Sequence, residues 1–339
     1  MSKAPLASSA PAPASEPASA PAAPARRLPL RAISLAVVLA AAAYVALAAL
    51  ADWDGFARAV ASLPPRTWLQ VLALSAASYL ARFVRWHRFI GTLGHAIPVA
   101  RHLRIYLAGF ALTLTPGKAG ETVRSLYLRP HGVDYAESVG AFVAERLLDL
   151  LAVAALACLA VLAFPAWRGW TLAAAAACAG LVWLLRSRLL GWLAERLGGR
   201  AAGRPARQVL VTVRLLLSGA ALRGALPLSV LAWSAQGVSL HLIVAALGYE
   251  LSAVSVIAIY CLSILAGAAS FIPGGLGATE AAIALLLGAA GLSPADAVSA
   301  SLVSRGLTLW PAVGLGLLSA SGLALEPKAG DRPAAPPTR

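Results

Sequence analysis

The sequence predicts an all-α polytopic membrane protein with about six spanning helices and two broken, re-entrant helical hairpins arranged as an inverted repeat. Composition is the first reason: 60% of the 339 residues are hydrophobic and 12% are charged, whereas soluble domains carry about 25% charged residues. The second reason is that apolar runs of about 20 residues, the length that crosses a bilayer as a helix, recur along the chain. The third is a motif containing proline, glycine and charged residues that occurs twice.

The chain divides into one long apolar region between two tails. Residues 1–30 and 326–339 are rich in Ala and Pro, and they have too few large apolar side chains to form a core, so we predict that both are disordered. Residues 31–325 form a single predicted transmembrane domain. Within it we place a first half-repeat at about 95–164, a basic amphipathic segment at 187–223 and a second half-repeat at about 252–322.

The first predicted span is Ile33–Ala51, an uncharged run of 19 residues. A cleavable signal peptide is the alternative, but the apolar core of such a peptide usually has about 7–15 residues, which favours a retained span. Five further apolar runs are predicted to span: Thr67–Phe89, Ser138–Phe164, Trp170–Leu185, Leu226–Leu247 and Ala297–Leu318.

The strong positive charge indicates a membrane orientation. A net charge of +14 raises the question of nucleic acid, but the Lys and Arg residues gather between apolar runs, as they do in loops kept on the cytoplasmic side. We therefore expect no nucleic-acid partner, and we expect a bacterial-type inner membrane protein with both termini in the cytoplasm. Within residues 207–218, apolar residues repeat at helical spacing while Arg207, Gln208, Thr212, Arg214 and Ser218 take the other face, which predicts a basic amphipathic helix lying on an anionic leaflet.

The repeated motif is the main functional signal. We call Thr115–Glu121 the first motif and Ile272–Glu280, which begins 157 residues later, the second motif. Paired Pro/Gly interruptions in the two halves of a transporter point to a binding site near the membrane midplane. The predicted structural residues are Pro116, Gly117 and Gly120 in the first motif and Pro273, Gly274, Gly275 and Gly277 in the second.

The segments beside the first motif are too short to span. His102–Thr115 has 14 residues and Gly120–Leu128 has fewer, and a helix rising about 1.5 Å per residue would not cross about 30 Å of hydrocarbon. We therefore predict a re-entrant hairpin. In the second half, Ala253–Ile272 could span, so its hairpin interpretation depends on the repeat and on the short helix Thr279–Gly288. Three spans between the hairpins would make the two halves inverted.

Ionisable residues lie within predicted spans, where each costs about 2.5–3.5 kcal/mol on insertion scales. Arg146 and Asp149 are three residues apart and can pair on one helix face. Arg305 must find a more distant partner, which could be Glu145, Asp149, Glu280 or a lipid phosphate. Arg82, Arg85 and Arg88 are expected to extend toward the interface. The five histidines have no metal-ligand spacing, so we expect no metal site and no cofactor.

Four cations and four carboxylates form the predicted substrate-binding set, which could admit an anionic headgroup by exchanging partners. Structural ion pairs are the alternative interpretation. The eight residues are Lys118, Glu121, Arg124, Glu145, Arg146, Asp149, Glu280 and Arg305.

Several motifs in this order resemble a known family. They are Thr-Pro-Gly-Lys-x-Gly-Glu with Arg124 after it, Glu-Arg-x-x-Asp, and Pro-Gly-Gly-Leu-Gly-x-x-Glu with a later arginine. This pattern, over about residues 30–322, is similar to the flippase-like integral membrane family that includes the transmembrane region of lysylphosphatidylglycerol synthase. The resemblance implies a protein that moves lipid between leaflets, with the eight charged residues as its site. Aminoacyl-transferring members carry a soluble catalytic domain after the membrane part. Since 17 residues follow Gly322 here, we expect no synthase activity.

The sequence therefore predicts a flippase, not an enzyme, for a lipid with a charged, phosphate-bearing headgroup. One alternative is a membrane-embedded transferase acting on lipid-linked substrates. The other is a non-transporting partner of a separate lipid-modifying enzyme. The chain has no Gly-x-x-x-x-Gly-Lys-Ser/Thr loop, so direct use of ATP is not expected.

Overall fold

The fold is known from a computed structural model, which describes residues 56–58, 60–160, 168–187, 191–192, 195–196 and 203–325. This part of the chain is helical and contains no strand, as predicted. Its α-helices are α1 Pro65–Thr92, α2 Val99–Ala108, α3 Arg124–Leu128, α4 Tyr135–Ala157, α5 Arg168–Arg186, α6 Arg204–Leu216, α7 Gly219–Ala246, α8 Ala253–Ala269, α9 Ala278–Ala289 and α10 Pro294–Leu325. Short 3₁₀ segments are Gly109–Leu112, Pro116–Val123, Arg129–His131 and Pro273–Gly275.

Five of the six predicted spans coincide with long helices, namely α1, α4, α5, α7 and α10. Two of these, α7 and α10, are long and apolar enough to cross a bilayer by length and composition. Helix α1 has 28 residues but carries four arginines, which lowers its apolar character. The count of about six spans therefore stays a prediction. Ile33–Ala51, both tails and part of segment 187–223 lie outside the described residues.

Local sequence signals explain where several helices begin. Asp134 precedes α4, its carboxylate accepts a hydrogen bond from the backbone of Tyr135 at 2.6 Å, and Glu137 completes the capping box. Ser252 caps α8 by accepting from the backbone of Ser255 at 3.1 Å. These side chains satisfy backbone N–H groups that the first turn of a helix leaves without partners.

The broken segments are less regular than predicted. Helix α2 ends at Ala108 and continues as the 3₁₀ segment Gly109–Leu112, so the predicted helix His102–Thr115 is only partly α-helical. The predicted helix Gly120–Leu128 likewise begins in a 3₁₀ segment and becomes α-helical at Arg124. In the second half, α8 has 17 residues and ends before Phe271, whose φ is 55°. Re-entry into the membrane and inverted topology stay predictions.

The apolar core has two clusters separated by a polar layer. On α4, residues up to Leu148 belong to one cluster and residues from Ala152 belong to the other, with Asp149 between them. The same change occurs on α7 around Ser229 and on α10 around Arg305. Buried polar groups require hydrogen-bond partners. The charged side chains of several helices find these partners in one another, and they therefore lie together in this layer.

Helix α6 packs its buried face on α4. Its apolar residues Val213 and Leu216 are buried, and Thr212 is buried too although its spacing placed it on the polar face. Gly140 of α4 permits this contact, since a Cβ there would lie 2.6 Å from Thr212 Cβ. The arginines of α6 remain exposed.

Candidate functional site

A cavity of about 350 Å³ lies in the polar layer, and both motifs contribute to its wall. Its apolar lining includes Leu150, Val153 and Leu309. The ionisable residues that line it are Tyr79, Arg82, Lys118, Arg146, Asp149, Tyr260 and Arg305. Four of these are cations and one is a carboxylate, so the wall is rich in donors for an anion.

The first motif is held in a tight turn that brings Lys118 to the cavity. The Thr115 hydroxyl donates to Leu112 O at 2.8 Å and accepts from Gly120 N at 2.7 Å. A Cβ on Gly120 would lie 2.6 Å from Leu112 Cβ, so the turn requires glycine at this position. Lys118 itself has φ 57°, a left-handed conformation that costs a non-glycine residue about 1–3 kcal/mol.

The second motif has the same kind of turn, built from glycines. Gly274, Gly275 and Gly277 have φ values of 63°, 65° and 81°, which glycine adopts without steric cost. Gly275 stands 157 positions after Lys118, so the two left-handed residues occupy matching places in the two motifs. At this place the first motif has a cation where the second has no side chain.

The two motifs contact each other. A Cβ on Gly274 would lie 2.9 Å from Leu114 Cδ2, beside the first motif. Gly275 approaches Thr279 in the first turn of α9 equally closely, since its Cβ would lie 2.7 Å from Thr279 Oγ1. Backbone conformation or close packing thus accounts for four of the predicted structural glycines, Gly120, Gly274, Gly275 and Gly277.

Behind the cavity, a network of ion pairs joins α1 to α4. Arg85 is fully buried and donates to Asp149 Oδ1 at 2.7 Å and to Glu145 Oε1 at 3.0 Å. Asp149 Oδ1 also accepts from Trp233 Nε1 at 3.1 Å. Arg146 lies 3.1 Å from Asp149 Oδ2, which is the pairing predicted from their spacing.

Arg124 extends this network toward α2. Its guanidinium pairs with Glu121 and lies 3.3 Å from Glu145 Oε2. It also lies over the rings of Trp86 and Tyr106, 4.5 and 4.6 Å from their centroids. Such cation–π contacts favour arginine where the charge is shielded from water.

The second half has a simpler arrangement. Arg305 Nε donates to Glu280 Oε1 at 3.0 Å, and its Nη2 donates to Gly274 O at 2.9 Å. Glu280, one of the four partners considered from the sequence, is therefore an ion-pair partner of Arg305. The other carboxylate oxygen of Glu280 accepts from Gly277 N at 2.7 Å, which fixes the start of α9.

The expectation that the arginines of α1 extend to the interface is wrong for two of the three. Arg82 and Arg85 are 7% and 0% exposed, while Arg88 is exposed. Arg82 lines the cavity with its guanidinium 4.3 Å from the centroid of the Trp233 ring. All three arginines fall inside the 23-residue predicted span Thr67–Phe89, so this position did not distinguish the two buried arginines from Arg88, and no sequence signal pointed to Trp233.

These two arginines change the charge balance. The sequence suggested four cations against four carboxylates, but with Arg82 and Arg85 the layer holds six against four among the described residues. The site therefore does not neutralise itself, and it carries an excess of two positive charges.

Comparison with known protein families gives a match over residues 31–316, to the family described as "Lysylphosphatidylglycerol synthase TM region". The chain belongs to this family. Membership makes it a membrane protein, and it agrees with the resemblance that the two motifs and the Glu-Arg-x-x-Asp sequence indicated.

Two curated relatives from Methanothermobacter thermautotrophicus match part of the chain, and each is named UPF0104 membrane protein. One is 30% identical over 102 residues, which is 30% of this chain and 28% of the relative. The other is 36% identical over 99 residues, which is 29% of this chain and 30% of the relative. The chain thus aligns with less than a third of the length of each relative.

Proposed function

We propose that this family member is an inner-membrane flippase that moves a lipid with a charged, phosphate-bearing headgroup between leaflets. The observation that carries this proposal is the cavity in the polar layer, which is lined by Arg82, Lys118, Arg146 and Arg305 but by a single carboxylate, Asp149. Arginine and lysine are the side chains that bind phosphate oxygens by charge-assisted hydrogen bonds. The eight charged residues predicted from the sequence, together with Arg82 and Arg85, are the proposed site and its support.

The size and edges of the cavity suit a headgroup rather than a whole lipid. Its volume of about 350 Å³ lies at the lower end of the range of about 300–1,000 Å³ that small-molecule pockets occupy. Two apolar residues of the lining, Phe271 and Ile272, are 82% and 44% exposed. Acyl chains leaving the cavity past these residues would remain in contact with apolar surface.

Transport is proposed over catalysis because the carboxylate in the cavity is already engaged. Asp149 accepts from Arg85 and Trp233 and pairs with Arg146. A carboxylate held by two cations is a poor general base, because its charged form is strongly favoured. The second proposal is that the protein is a non-transporting partner of a lipid-modifying enzyme, and the experiment below distinguishes it from the flippase proposal.

We propose the same orientation as the sequence predicts, with both termini in the cytoplasm. Helix α6 supports it, because Arg204, Arg207 and Arg214 are exposed while its other face packs on α4. An exposed row of arginines is attracted to the anionic lipids of the cytoplasmic leaflet.

The test is leaflet exchange of fluorescent phospholipids in vesicles that contain only this purified protein. We expect exchange with the natural sequence, loss of exchange in Lys118→Gln and Arg146→Gln, and no change in Arg88→Gln, an exposed control on α1. Full exchange in both cavity variants would refute the proposed site. Exchange that requires an added lipid-modifying enzyme would favour the partner role instead.

A further inference from the structure

Each of the four carboxylates in the polar layer is paired with at least one arginine of the protein. Glu145 Oε1 accepts from Arg85 and from Tyr106 at 3.2 Å, and its Oε2 lies 3.4 Å from Arg146. Glu121 accepts from Thr113 at 2.9 Å through one oxygen and pairs with Arg124 through the other. Asp149 and Glu280 are paired with arginines as described above, although Asp149 Oδ2, 3.1 Å from Arg146, accepts no hydrogen bond. Each carboxylate of this group therefore already has a protein cation as its counter-charge.

Two cations of the cavity wall lack such partners. Among the residues that the structure describes, Lys118 and Arg82 form no ion pair with a carboxylate. Arg82 is 93% buried, since its exposed fraction is 7%, and its Nε has no hydrogen-bond partner. A buried charge needs a counter-charge or a polar partner to offset its lost hydration.

We propose that the site selects lipids whose headgroup ends in a doubly charged phosphate and disfavours headgroups that carry an ammonium. This inference rests on the proposed function and specifies its substrate class. A terminal phosphate carries about −1.5 to −2 charges at pH 7 and presents three acceptor oxygens, which matches the excess of two positive charges in the layer. A phosphodiester carries a single charge, and an ammonium would meet Lys118 and Arg82 beside a carboxylate, Asp149, that two arginines already neutralise.

Lys118 gives independent support for a ligand at this place. It holds a left-handed backbone conformation at φ 57°, whereas the matching position of the second motif is Gly275. A strained residue persists where its surroundings over-determine it, and such residues cluster at binding sites. The strained residue thus contributes a cation to a cavity wall that also contains Arg82, a buried arginine without a carboxylate ion pair among the described residues.

The experiment compares headgroups on identical acyl chains. The purified full chain in detergent micelles is titrated with phosphatidic acid, phosphatidylglycerol or phosphatidylethanolamine, and binding is followed by native mass spectrometry. We expect phosphatidic acid to bind about tenfold more tightly than phosphatidylglycerol, the factor for one additional charged hydrogen bond, and phosphatidylethanolamine to bind most weakly. Lowering the pH from 7.5 to 5 should reduce this preference, because the second ionisation of the phosphate has a pKa of about 6.

Variants assign the preference to the two cations. We expect Arg82→Gln and Lys118→Gln each to bring phosphatidic acid down to the affinity of phosphatidylglycerol, while Arg88→Gln keeps the full difference. Glycerol 3-phosphate, which carries the same phosphate without acyl chains, tests the source. Weaker binding of this soluble compound than of phosphatidic acid supports a lipid ligand, and equal binding would overturn the lipid assignment.

The outcomes separate this inference from the proposed function. If phosphatidylglycerol or phosphatidylethanolamine binds as tightly as phosphatidic acid while vesicles still show lipid exchange, the headgroup inference is wrong and the flippase proposal stands. If no lipid binds and no exchange occurs, the flippase proposal itself fails. Retention of the preference in both Arg82→Gln and Lys118→Gln would also overturn the inference, whatever the exchange rate.

Discussion

Replacing Arg85 by glutamine should destabilise the fold more than almost any other single change in α1. Arg85 is fully buried and bonds Asp149 at 2.7 Å and Glu145 at 3.0 Å. Removing one partner of a buried ion pair costs about 3–5 kcal/mol. Both carboxylates keep another cation, Arg146, so we expect the lower end of this range, about 3 kcal/mol.

Arg88→Gln is the matched control, because Arg88 lies one turn further along α1 and is exposed. Its effect should stay within about 0.5 kcal/mol, as for other surface substitutions. The assay is equilibrium unfolding in mixed micelles, followed by labelling of Cys261, which is fully buried. Cys158→Ser and Cys178→Ser in all proteins leave Cys261 as the single reporter. Equal stability of Arg85→Gln and Arg88→Gln would refute the assignment of Arg85 to a buried structural network.

Three further predictions use the same unfolding assay. Gly316→Ala should lower the free energy of unfolding by about 1–3 kcal/mol through overpacking, because its Cβ would clash with the backbone of Ala111. The control is Gly314→Ala, where the added Cβ meets open space and stability should stay the same or rise. Equal effects of the two changes would contradict this prediction. Gly274→Ala should cost about 1–2 kcal/mol, because alanine is strained at φ 63°; unchanged stability would argue against the turn. Arg305→Lys should cost about 1.5–3 kcal/mol, because one ammonium cannot reproduce the geometry of both guanidinium bonds; no loss would mean that one bond suffices.

Local spacing predicted those parts of the site that lie within one or two helical turns. Arg146 and Asp149 are three residues apart, and this spacing alone places them on one helix face at pairing distance. For Arg305, the sequence left four candidate partners. Its pairing with Glu280, 25 residues earlier, depends on how α9 packs against α10, which local spacing does not determine.

Local spacing did not predict the residues that α1 and α7 contribute to the site. Arg85 reaches Glu145 across 60 positions, and Arg82 meets Trp233 across 151 positions. Contacts between helices that are distant in sequence depend on how the helices pack, and the spacing of residues along the chain does not determine that packing. A periodic row of arginines is also compatible with either direction, toward water or toward the core, so it did not distinguish Arg82 and Arg85 from Arg88.

The contact between Gly274 and Leu114 has a mechanical consequence. The backbone of Gly274 in the second motif packs directly against the side chain of Leu114 beside the first motif. If one motif moves toward the other it must push on it, and if it moves away this contact is lost. The two motifs are thus mechanically coupled where the backbone is least regular. Any conformational change that opens the cavity from one side by separating the motifs must break this contact, so a cross-link between Gly274 and Leu114 should block that change.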